Sequence, residues 1–202
     1  MRLSGLEKTC LVIILVIVLL MVQPFGPSVY AGPEHLEEPV QVSLRVPDVR
    51  ILETKDGPVT LQLVAEYRVE AGVRSRRNYQ FDATADVSPM DLVLAWGSLN
   101  QEEALDSVSY RQSGRWYYYR AEEDSPVSLS YVGKNSANTH IIPAGRGVER
   151  KLKKIRKNDY VRLEGYLVNV LFDAGPWETS LSRTDTGGGA CEIFYVESVV
   201  VY

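Results

Sequence analysis

The sequence is poor in the residues that usually build a chemical centre. It has two cysteines and two histidines in 202 residues. Two cysteines cannot make a disulfide framework, and one of them, Cys10, falls in an apolar leader. A single histidine in the body of the chain, with no cysteine cluster beside it, argues against a zinc site. No metal or other cofactor is expected. An excess of positive charge is also missing: the formal charge is −4, which excludes a general nucleic-acid binder. No apolar run reaches the about 20 residues that a membrane-crossing helix needs. The longest, Cys10 to Val22, has 13. There is no alternating strand–helix–strand rhythm, so a doubly wound parallel sheet is excluded.

What is present begins with that leader. Arg2 and Lys8 precede the apolar run, Pro24, Gly26 and Pro27 follow it, and Val29-Tyr30-Ala31 places slender residues at −3 and −1 of a cleavage point. Residues 1–31 therefore predict an export signal cut after Ala31. The alternative is an uncleaved single-pass anchor through residues 10–22, with local bilayer thinning making up the short length. Cys10 stands at the start of the run and not after it, so a lipoprotein cleavage site is not supported. The basic residues before the run keep the N-terminus inside, which puts the body across the bacterial cytoplasmic membrane, periplasmic or anchored with the domain outside. Residues 32–39, GPEHLEEP, read as a polar tether carrying His35. Residues 40–202 read as a single β-rich domain.

Within that domain the period is mostly two. VQVSLRV and VTLQLVAEYRV alternate apolar and polar positions around the turn Lys55-Asp56-Gly57-Pro58. A hairpin is expected through Ala71-Gly72 into VRSRRNYQF. Ser88-Pro89-Met90-Asp91 reads as a helix start, with Leu92 to Trp96 as the helix and Gly97 as its stop. Asn100 with Glu103 starts a second short helix through Leu105, so residues 82–108 predict a helical insertion. RWYYYRA is a strand with Trp116, Tyr118 and Arg120 on one face. Gly145 to Lys157 predicts a helix on the stripe Val148, Leu152, Ile155, its remaining positions mostly basic and solvated. YVRLEGYLVNV is a strand whose central Gly165 implies a bulge or a close approach. WETSLSR and CEIFYVESVVVY are the last two strands, joined by TDTGGGA. The fold class expected is mainly β (α+β), an antiparallel small barrel or sandwich with two or three short helices.

Three stretches could carry chemistry. In KNSANTHIIPAG, Asn135, Ser136 and Asn138 favour compact turns that bond nearby backbone. His140 sits beside Ile141-Ile142, as a core-edge residue or as part of a polar pocket with Trp177, Arg183 or Asp185. In SRTDTGGGACE the glycines predict a hairpin loop with positive φ. Its Asp-Thr-Gly lacks the apolar flank of an aspartic protease, and no P-loop lysine follows the glycines. Cys191 opens an apolar strand, the setting of a buried structural thiol. As a nucleophile it would pair with His140, oriented by Asp185 or Asn138.

The V-x-L-x-G-x-L run of residues 161–167, after a helix and a turn with Asp159, resembles the barrel strands of OB-like folds. The histidine-then-cysteine order resembles the sortase and L,D-transpeptidase kinds, although the arginine after the sortase cysteine and the Ser-His-Gly-Cys of the other kind are missing. The set FDATADVSPMDLVLAWG, GRWYYYR, NSANTHIIPA, DYVRLEGYLV and SLSRTDTGGGACE resembles an uncharacterised family of bacterial exported or membrane-anchored proteins. That resemblance implies export or anchoring and brings no activity, substrate or cofactor. The expectation is a non-enzymatic envelope module that binds a partner protein or a small ligand. The alternative is a cysteine-dependent hydrolase or transpeptidase using Cys191 and His140.

Overall fold

The computed structural model describes residues 36–202. The leader over 1–31, its cleavage after Ala31 and His35 of the tether lie outside these residues. Residues 36–39 carry no helix or strand, but Leu36 is buried and its carbonyl accepts the Gly97 amide at 2.7 Å. Among the described residues no helix is long and apolar enough to cross a membrane.

The domain is mainly β. Its strands are β1 (Val40–Thr54), β2 (Gly57–Asn78), β3 (Met90–Ala95), β4 (Val108–Ser113), β5 (Trp116–Ala121), β6 (Ser136–Pro143), β7 (Tyr160–Phe172), β8 (Gly175–Trp177) and β9 (Glu192–Val201). The helices are α1 (Glu102–Ser107), α2 (Leu129–Asn135) and α3 (Arg146–Leu152), with a 3-10 turn over Gly97–Asn100. The β1–β2 hairpin turns at Lys55-Asp56, and the period of two along β2 buries Leu61, Leu63, Ala65, Tyr67, Val69, Ala71 and Val73. Each fully buried aliphatic side chain of this kind contributes about 1.5–3 kcal/mol.

Five strands close a ring in the order β2-β3-β6-β9-β7 and back to β2. Counted along the ring's own strands this is 1-2-3-5-4-1, with α3 between the third and fourth. The third and fifth, β6 and β9, run parallel. This is the connectivity of an OB barrel. The expected antiparallel barrel is found, with this one pair parallel. β1 adds to the outside of β2, and β8 pairs with the end of β7.

Two glycines make the closure possible. The hairpin expected at Ala71-Gly72 is absent: β2 runs straight through. It pairs with β7 as far as Gly72 and with β3 from Gly72 onward. A Cβ at Gly72 would overlap the guanidinium of Arg74 and the amide of Asn100, so the glycine serves close approach at a barrel corner and not a turn. Gly165, at φ 155° in mid-β7, lies at a bulge against β9, and a Cβ there would overlap the Tyr195 carbonyl oxygen. The bulge or close approach expected at this residue is found.

Other expectations are corrected. Met90–Ala95 is a strand and not a helix, and all six residues are buried. A short apolar run covered on both faces has no period that separates strand from helix, and here its backbone is claimed by β2 and β6. The insertion over 82–108 is accordingly only partly helical. α1 begins after Asn100, whose side-chain amide turns inward to the carbonyls of Ala95 (3.0 Å) and Gly97 (3.3 Å). α3 stops at Leu152, short of Lys157. Arg76 takes the Ile155 carbonyl at 2.8 Å, and Asn158, at φ 73°, donates its amide to the Val73 carbonyl. The exposed basic residues beyond it face outward. WETSLSR is not a strand beyond Trp177. Hydroxyls of Ser180 and Ser182 accept the amides of Ser182 and Thr184, local bonds that compete with a ladder, and the Thr179 hydroxyl accepts the Ile193 amide from across the loop. Nor is the loop over 182–191 a hairpin, since β8 and β9 both flank β7. Its Gly187 and Gly189 do take positive φ, each at 86°.

Candidate functional site

The compact turn expected over residues 134–145 is instead β6, buried from Ser136 to Ile142. Asn138 and His140 find long-range partners, which leaves the backbone to the sheet. Because β3 and β6 pair antiparallel, Asp91 lies opposite His140, Val93 opposite Asn138 and Ala95 opposite Ser136. These residues share one face, on the other side of the sheet from Leu92, Leu94 and Ile141.

The β4–β5 hairpin folds over that face. Gly114 (φ 57°) and Arg115 (φ 71°) form its two-residue tip, with the positive φ pair that a type I′ turn needs. Gln112 Nε2 donates to Asn138 Oδ1 at 2.8 Å, Asn138 Nδ2 to the Arg115 carbonyl at 3.1 Å, and the Tyr117 hydroxyl to the Ser136 carbonyl at 3.2 Å. The sheet face through which OB barrels commonly bind is thus covered by the chain's own insertion. The open surface lies at the edge of the hairpin, against the 178–191 connection.

Arg115 is the keystone of that edge. Its guanidinium donates to Asp91 Oδ1 at 2.9 Å, to the Ser88 carbonyl at 2.9 Å and to Asp82 Oδ1 at 2.8 Å, and it stacks 3.7 Å from the Tyr79 ring centre. The same Asp91 oxygen meets His140 Nδ1 at 2.9 Å. Asp91 is 0% exposed. Where Nδ1 donates to this oxygen, Nε2 is the ring nitrogen left over. The His140 ring packs on Trp177 with centroids 4.8 Å apart.

Two clefts open here and share Trp116, Gly187 and Cys191. One, of about 260 Å³, is lined by Trp116, Trp177, His140, Arg115 and Cys191 among others. The other, of about 140 Å³, is lined by Trp116, Tyr117, Tyr119, Arg183, Asp185 and Glu192 among others. A larger groove of about 790 Å³ runs between residues 79–89 and α3, and none of the sequence candidates lines it.

The predicted residues therefore divide. His140 meets Trp177 in the first cleft. Arg183 and Asp185 sit in the second and do not join His140. Ser136 lines the second cleft as well, while Asn135 caps α2 by donating to the Tyr131 carbonyl at 3.0 Å. Asp185 accepts from Ser180 Oγ at 2.7 Å, so the orienting role foreseen for it or Asn138 falls to Asp91. Cys191 lies between the clefts. Its Sγ accepts from Asn138 Nδ2 at 3.6 Å, and burial pushes its thiol up to about 11.

Two residues of this candidate site do not stand out in the sequence. Asp91 was hidden inside an apparent helix cap; read as a strand, SPMDLVLA has one charge in an apolar run, which is a signal. Glu192 begins β9 opposite Thr139, is 2% exposed, and pairs through Oε1 with Arg183. Arg183 also bonds the Tyr67 hydroxyl at 2.9 Å and lies over the Tyr67 and Trp96 rings. Burial, only partly opposed by Arg183, raises the Glu192 carboxyl to about 7. The buried atoms Glu192 Oε2, Thr139 Oγ1 and Trp96 Nε1 have no hydrogen-bond partner among the described residues.

No protein-family model, no curated protein and no solved structure matches the chain.

Proposed function

We propose that this chain is a non-enzymatic binding module of the bacterial envelope, exported or held by its apolar leader, and that it takes a ring-bearing ligand in the Trp116–Trp177 cleft. The observation that carries this reading is the set of contacts that hold His140 in the cleft. His140 is held from behind by Asp91 and Arg115 and from the side by Trp177, so binding orders little that is not ordered already. Trp116, 46% exposed, supplies the second aromatic wall. Paired aromatic walls with a few fixed polar groups suit flat or ring-shaped ligands, pyranose rings of envelope glycans among them. The test is tryptophan fluorescence against a panel of soluble oligosaccharides. Saturable change that Trp177→Ala and His140→Ala both remove supports the reading; absence of saturation across the panel refutes the glycan class. The envelope location is tested by a C-terminal reporter enzyme, whose activity in the cytosol alone would refute it.

The second reading is a cysteine-dependent hydrolase or transpeptidase. One observation favours it: Cys191 and His140 line one cleft, and His140 already carries a carboxylate partner. Against it stands a thiol raised by burial, opposite to the low pKa a thiolate nucleophile needs.

A further inference from the structure

The smaller cleft holds a buried carboxyl group whose second oxygen is unanswered. Glu192 Oε1 is taken by Arg183, but Glu192 Oε2 has no partner among the described residues. Glu192 lines the cleft, and Asp185 lines the same cleft from the 182–191 loop. Arg183 cannot answer a second anion easily, because its guanidinium already serves Glu192, the Tyr67 hydroxyl at 2.9 Å and Gln41 Oε1 at 3.4 Å. The walls are aromatic. Tyr117 and Tyr119 stand 5.5 Å apart between ring centres, and Trp116 completes the wall. An unsatisfied carboxylate oxygen asks for a donor, and aromatic faces favour a cation over an anion.

We infer that this cleft is a binding site for a small organic primary ammonium group, with Glu192 as its counter-charge, Asp185 as a second acceptor, and Trp116, Tyr117 and Tyr119 as the surrounding faces. The ammonium supplies the donors that Oε2 lacks, and its arrival favours the ionised carboxylate over the protonated one. The volume of about 140 Å³ admits a short alkyl chain behind the charge and not a polymer. Lys134, exposed at the rim on the last turn of α2, is the competing feature: with Arg183 it would favour an anion. This site goes beyond the reading of the Trp116–Trp177 cleft and does not depend on it.

The test is calorimetric titration of the full chain, in mild detergent, with n-butylammonium chloride, sodium butyrate and n-butanol. Saturable binding of butylammonium alone is expected. Glu192→Gln should weaken it about tenfold or more, Asp185→Asn several-fold, and Lys134→Ala, by removing a like charge from the rim, should strengthen it modestly. Binding of butyrate in place of butylammonium, equal binding of butanol, or no saturation by butylammonium overturns the proposal. If Glu192→Gln does not fold, Asp185→Asn and Trp116→Ala decide, and unchanged affinity in both overturns it. Because His140→Ala leaves this cleft's walls in place, it should abolish glycan binding without affecting butylammonium, which separates the failure of one reading from that of the other.

Discussion

Glu192→Gln gives the sharpest test of the electrostatics. The carboxyl is 2% exposed, and burial raises it from the ordinary 4.5 to about 7. In the unfolded chain it ionises at its ordinary value. The folded state therefore holds a proton that the unfolded state has released throughout the window from 4.5 to about 7. A carboxyl raised in this way contributes stability that is complete below 4.5 and lost as pH rises through about 7. At about 1.4 kcal/mol per pH unit, the rise from 4.5 to about 7 corresponds to about 3–4 kcal/mol. Glutamine cannot ionise, so the variant lacks this slope. The assay is urea unfolding followed by tryptophan fluorescence at intervals across that pH window, with wild type and variant side by side. Asp82 is held below its ordinary value by hydrogen bonds from Arg115 and Thr84, which outweigh its partial burial, and its contribution cancels in the difference. The expected result is that wild-type stability falls relative to the variant by about 3–4 kcal/mol from the acidic to the neutral end. Parallel curves, or a wild type that gains with pH, would show that Glu192 is already ionised at its ordinary value and would refute the reasoning.

Three further outcomes follow from the same geometry. Cys191, at about 11, should react with iodoacetamide about a hundredfold more slowly at pH 8 than an exposed cysteine, and urea should restore the ordinary rate; rapid alkylation of the folded protein that His140→Ala abolishes would support the thiol enzyme instead. Asp91→Ala strands Arg115 and His140 around an empty carboxylate position and should cost about 3–5 kcal/mol by urea unfolding, whereas a loss under about 1 kcal/mol would mean that the pair is not buried as described. Gly165→Ala should lower the melting temperature markedly, since φ 155° and the Tyr195 carbonyl both oppose a Cβ; an unchanged melting temperature would contradict the β7–β9 bulge.

Parts of this fold and site are legible in the chain. The alternation along β2 and in RWYYYRA names the buried and exposed faces correctly, because period two is a property of residues two apart. Gly165 also announces its bulge. β3 does not: MDLVLA is apolar on both faces because both are covered, and its one charge, Asp91, looks like a helix-cap residue until β6 is laid beside it. The polar run Ser136–Asn138–His140 looks like a turn for a parallel reason. Ser136 does bond locally, to the Val132 carbonyl, but the partners of Asn138 and His140 are Arg115, Gln112, Cys191 and Asp91, none of them local.

By itself the sequence determined the β-rich character, the faces of β2 and β5, the mid-strand glycine and the apolar leader that motivates an envelope role; the alternation in β1 gives no buried face, since Val40, Val42 and Val46 are exposed. Each is encoded within a few neighbouring residues, where sterics and burial act locally. Only the tertiary structure decided that β2 turns a barrel corner at Gly72, that His140 is served by Asp91 49 residues away, and that Glu192 is buried with one oxygen unpartnered. Those facts arise when the ring closes and brings distant segments into one low-dielectric space, and the strength of charge interactions depends on that space and not on the identity of adjacent residues.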